Sequence, residues 1–99
     1  MLQYHFEWDP KKAKLNWKKH KIRFEEAVSV FRDSRSISIF DDAHSDNEDR
    51  WITVGAAATG NILVVHHTFG QVDDSNVAIR IFSSRKATKR EKRQYLEGA

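Results

Sequence analysis

Residues 51–69 read WITVGAAATGNILVVHHTF. Two runs rich in β-branched and apolar residues, Trp51–Ala57 and Ile62–Phe69, flank the turn signal Thr59-Gly60-Asn61. Together they predict two antiparallel strands joined as a hairpin. On the C-terminal side, a polar turn through Gly70 to Asn76 leads into another strand, with Val77, Ile79 and Ile81 on one face and Arg80 on the other. On the N-terminal side, Ile37 and Ile39 alternate with Ser36 and Ser38, a strand that runs into an acidic loop.

Further out the period changes. Leu2, Tyr4, Phe6 and Trp8 alternate with polar residues, the signature of a half-buried strand. Asp9-Pro10 marks a helix start, Asp9 as N-cap and Pro10 at the first helical position. That helix is expected to reach about His20, with Ala13, Trp17 and His20 on one face. A second helix follows, in which Phe24, Ala27, Val28 and Phe31 recur at helical spacing, and Asp33-Ser34 closes it. At the other end RIFSSRKATKREKRQY (Arg80–Tyr95) passes from strand into a basic helix. Ser84 is its expected N-cap, which would put Arg85 and Lys86 at the positive end of the helix dipole, where an anion would relieve the conflict. Strands in a run, with helices before and after, predict an α+β fold: a small antiparallel sheet, two N-terminal helices and a basic C-terminal helix, in one domain over residues 1–99.

The 99 residues contain no Cys, so disulfides and thiolate metal sites are excluded and a reducing compartment fits. No apolar run reaches transmembrane length and the N-terminus lacks a signal-peptide layout, so a cytoplasmic protein without membrane association is expected. The net charge is only +3, but it is unevenly spread. Acid gathers between Asp41 and Asp49, base in Lys11–Lys21 and Arg85–Arg93. Two basic helices point to a polyanionic partner, nucleic acid before membrane. Asp41, Asp42, Asp46, Glu48, Asp49 and His44 lack the Gly and the ligand spacing of a calcium loop, so no metal and no cofactor are expected.

Several blocks resemble one family. FEWDPKKAKLNWKKHKIRFEEAVSVF, HSDNEDRWITVG, LVVHHT and RIFSSRKATKREKRQY are similar, in the same order, to the signature blocks of the BrnT toxins of type II toxin–antitoxin systems. The resemblance implies a small cytoplasmic ribonuclease with a RelE-like fold. It also implies a co-encoded BrnA-type antitoxin with a DNA-binding domain, in a hetero-oligomer that binds operator DNA. Three positions depart from the family pattern. Lys21 stands where Gly is usual, Phe69-Gly70 replaces a polar or acidic residue and an Arg, and Ser84 replaces a frequent Ala.

A minimal ribonuclease needs a base for the substrate's own 2′-hydroxyl, cations for the charge developing on phosphorus, and an acid for the departing 5′-oxygen. Candidate proton carriers are His67, His20, His44 and Glu48; His67 matches the family's His-Thr pair. Candidate phosphate ligands are Arg80, Arg85 and Arg50, whose guanidinium forks hold two oxygens at once, with Lys86, Lys19 and Lys89 as further cations. Arg80 and Arg85 carry the expected site. Basic helices with Trp8, Trp17 and Trp51 would equally suit a non-catalytic nucleic-acid-binding or protein-interaction module.

Overall fold

The computed structural model describes residues 2–44 and 48–98, and His44 by its backbone alone. Asp46 and the His44 side chain, both weighed above, lie outside the described residues. Strand β1 (Gln3–Glu7) is followed by helix α1 (Pro10–His20) and a short helix α2 (Phe24–Val28) that tightens into a 3-10 turn at Ser29–Arg32. Then come β2 (Ile37–Phe40), a 3-10 turn at Asp42–His44, β3 (Arg50–Ala56), β4 (Ile62–Thr68), β5 (Gly70–Gln71), β6 (Asn76–Lys86) and helix α3 (Lys89–Leu96).

The β3–β4 hairpin forms as expected, with Arg50 opposite Thr68 and Ala56 opposite Ile62. The strand order is β1-β6-β4-β3-β2, with β5 also on β6. The sheet is mixed rather than antiparallel, because β1 runs parallel to β6 from Gln3 opposite Asn76 to Glu7 opposite Arg80. Such a pairing joins the two ends of the chain, so no local turn signal announces it.

The core lies between one sheet face and the helices. Ile22, Phe24, Ala27 and Val30 pack against Leu63, Val65, Val77, Ile79 and Ile81, flanked by Phe6, Trp8 and Phe31. Full burial of each large aliphatic or aromatic side chain contributes about 1.5–3 kcal/mol. Phe24, Ala27 and Val30 are three residues apart, as suits a helix tightening to three residues per turn.

Helix α1 starts as its sequence predicts: the Asp9 carboxylate accepts the Lys11 N–H and Pro10 occupies the first turn. It ends at Lys21, which takes the left-handed conformation (φ 58°) and donates its N–H to the Trp17 carbonyl. Its buried residue is Asn16, whereas Trp17 is exposed beneath Lys21 and Arg23. Past Arg80, β6 has no β1 residue paired to it, and Asn16 occupies that position. The Asn16 amide accepts the Ser84 N–H (3.0 Å) and donates to the Ser84 and Ile22 carbonyls (2.9 and 3.0 Å).

Ser84 therefore caps no helix. It is buried in extended backbone opposite Val65, its hydroxyl without a hydrogen-bond partner. The N-cap of helix α3 comes four residues later, at a capping box in which Thr88 receives the Glu91 N–H and Glu91 receives the Thr88 N–H. Arg85 and Lys86 consequently belong to β6 and not to a helix terminus.

Candidate functional site: a cationic cleft on the open sheet face

Alternation along β6 sends Ile79 and Ile81 into the core and Arg80 to the other face, as the sequence indicates. One irregularity shapes that face. His66 pairs with Ser83 and His67 with Ile81, leaving Phe82 as the extra residue of a β-bulge. Bulges re-aim side chains, and this one sets Phe82 among cations. Arg50 lies 4.4 Å and Arg80 5.2 Å from its ring centre, with the Lys12 ammonium at 5.1 Å.

Glu48 completes the cluster. Both of its carboxylate oxygens lie 2.6 Å from Arg80 Nη2, and one lies 3.8 Å from Arg50 Nη2. The Arg80 and Glu48 side chains are 42% and 37% exposed, so their pairing adds at most about 1 kcal/mol to stability. A cleft of about 260 Å³ opens between Asp9, Lys12, Glu48, Arg50, Arg80 and Phe82. Three cations thus face two carboxylates, beside an aromatic ring. At Lys12 and Phe82 the cleft adjoins a larger groove of about 600 Å³ along α1, bordered by Lys18, Lys19 and His20.

The expected site residues divide. Arg80, Arg50 and Glu48 meet in the cleft, while His20 and Lys19 border the adjoining groove. Arg85 is elsewhere engaged: its guanidinium grips Glu91 through two bonds of 2.8 and 3.0 Å. That bond, helped by the Thr88 backbone and opposed by burial, holds the Glu91 carboxyl at about 2. Lys86 and Lys89 are exposed between β6 and the first turn of α3. His67 is 2% exposed on the core side of the sheet, the face opposite Arg80. Burial keeps its pKa below the ordinary imidazole value, the Thr68 carbonyl opposes that, and His66 adds to it.

Sequence reasoning passed over Lys12 and Phe82, and it ranked His66, which by alternation shares the face of Arg80, below His67. Phe82 was hidden because a bulge breaks the period-2 pattern, and Lys12 because it sits among Lys11 and Lys14 without distinction. Among the described residues no group of three or more His, Asp or Glu gathers as a metal site, and no helix is long and apolar enough to cross a membrane.

Fold and cleft together define a small α+β protein that presents a cationic pocket on the sheet face opposite the main core. Residues 8–91 match the family described as ribonuclease toxin, BrnT, of type II toxin–antitoxin system. The chain belongs to this family, and it is accordingly an endoribonuclease toxin with RNA as substrate and an antitoxin as partner. The structure is similar to the crystal structure of the Brucella abortus ribonuclease toxin BrnT, at 20% sequence identity and a TM-score of 0.53, over 90% of this chain and 100% of that one. No curated protein sequence matches the chain.

Proposed function

We propose that the cleft at Glu48, Arg50 and Arg80 is where RNA is cut, without a metal, by attack of the substrate's own 2′-hydroxyl. The observation that carries this reading is one carboxylate bound by Arg80 beside Arg50, Lys12 and Phe82, in a cleft open to solvent. When a phosphate enters, Arg80 and Arg50 exchange part of their hold on Glu48 for its oxygens, and the freed carboxylate takes the 2′-hydroxyl proton. The 2′-oxygen bonds to phosphorus, the bond to the 5′-oxygen breaks, and Lys12 supplies that oxygen's proton. The products are a 2′,3′-cyclic phosphate and a 5′-hydroxyl. Charge on the five-coordinate phosphorus is held by guanidinium groups already in place. The α1 groove, with Lys19 and His20, guides the flanking strand.

The whole chain works in this reading as one RelE-like toxin domain in the cytoplasm. Its inhibitor is a BrnA-type antitoxin whose acidic segment covers the cleft and whose DNA-binding domain takes the complex to its operator. The test is cleavage of RNA in EDTA by folded protein. Arg80→Ala and Glu48→Gln should each lower the single-turnover rate by about 100-fold, the scale for losing one transition-state donor. Wild-type rates in both would remove the cleft from the chemistry, and RNA bound but left intact by the wild-type chain would favour a binding module.

A further inference from the structure

On the core side of the same sheet end lies a second pocket, of about 270 Å³, which the proposed cleavage chemistry does not use. Tyr4, Phe31, Trp51 and Phe69 wall it, and Ser38 and His67 form its floor. The walls touch edge to face: Phe69 stands 6.4 Å from both Tyr4 and Trp51, and Phe31 lies 4.8 Å from the His67 ring. Tyr4 and Phe69 are about two-fifths exposed, so the aromatic rim is open to solvent.

The floor has a fixed hydrogen-bond direction. His67 Nδ1 lies 2.9 Å from the Thr68 carbonyl, which can only accept, so Nδ1 carries the proton. Nε2 of the neutral ring then accepts from the Thr53 hydroxyl at 2.7 Å, and Thr53 in turn accepts from Ser38 at 2.8 Å. With its proton directed inward, the Ser38 hydroxyl offers the pocket lone pairs only. A flat aromatic ligand with an N–H on its edge fits these walls and this floor.

The pocket and the cationic cleft are joined through the backbone. Arg50 and Trp51 are consecutive residues on opposite faces of β3. Thr68, whose hydroxyl accepts the Arg80 N–H at 3.0 Å, is followed by Phe69. We infer that this pocket receives one unstacked nucleobase of the RNA whose backbone lies in the cleft, its N–H edge turned to Ser38. This rests on the cleft being the place where the phosphates are held. Stacking on aromatic side chains and hydrogen bonding to a base edge are the means by which single-stranded RNA is read.

The test uses 2′-O-methyl pentanucleotides, which lack the nucleophile and stay intact, with all-A, all-C, all-G, all-U or wholly abasic sequence. Affinities are measured by fluorescence anisotropy. Trp51→Ala and Phe69→Ala should each weaken binding of at least one base-bearing probe by about 10-fold, within the range for one stacked base, and leave the abasic probe unchanged. Ser38→Ala, which keeps every wall, should weaken the same probe. Circular dichroism checks the fold, and Trp51→Phe replaces Trp51→Ala if the latter unfolds. Equal affinities for all probes in wild type and variants would overturn the inference, as would variants that weaken only antitoxin binding. Arg80→Ala is a separate arm and should weaken every probe, the abasic one included. Loss there without loss in the pocket variants removes the pocket and keeps the cleft, whereas no loss there removes the cleft reading.

Discussion

Ser84 carries a hydroxyl with nothing to bond, in a position where burial is complete. An unsatisfied buried polar group costs about 1–3 kcal/mol. Ser84→Ala should therefore raise stability by roughly 1 kcal/mol in urea denaturation; a loss of stability would mean the hydroxyl is satisfied. Lys21 is the second such residue, with its side chain on a left-handed backbone that favours glycine. Lys21→Gly is expected to gain about 0.5–1 kcal/mol, read from the same curve. Both positions are local strains that the neighbouring residues alone did not show. His67 sets a pH dependence. Its folded pKa lies below the ordinary value near 6.5, so the unfolded chain binds the proton more readily. Stability is then full above about pH 6.5 and falls as the pH drops toward the folded pKa. Melting temperatures between pH 7.5 and 5 should show this slope, and His67→Leu should flatten it even at a lower overall stability.

At the level of elements, the hairpin of β3 and β4, the Asp9 cap and the outward side of Arg80 were legible, because each is written in neighbouring residues. The boundary between β6 and α3 was not. Ser84 and Thr88 both have the chemistry of an N-cap, and what decides between them is Asn16, distant in sequence, which holds Ser84 in extended backbone. The same amide explains why α1 buries Asn16 while Trp17 lies outside. Asn16→Leu should cost about 2–3 kcal/mol, since it strands the buried Ser84 N–H and C=O beside an apolar side chain. An unchanged denaturation midpoint would show that water replaces the amide. The candidate site was half legible for a related reason. Types and charges named Arg50, Arg80 and Glu48, but the side each histidine takes depends on the register of β4, and the place of Phe82 depends on a bulge.

For the molecule as a whole, the decisive feature is that β6, the last strand made, lies inside the sheet between β1 and β4. On a translating ribosome, the chain up to the β3–β4 hairpin has emerged before the strand that joins it to β1. Until Asn76–Lys86 clears the exit tunnel, Glu48 has no Arg80 and Phe82 has no bulge to place it. A toxin built in this order lacks the proposed cleft until β6 has emerged, and acquires it in one late, long-range step, the slow kind of contact to form. Ribosome-bound chains of increasing length should cleave no RNA until β6 is fully exposed, then gain activity abruptly. Cleavage by a chain ending before Asn76 would contradict this. The interval before the sheet closes is when an antitoxin would meet its target still harmless.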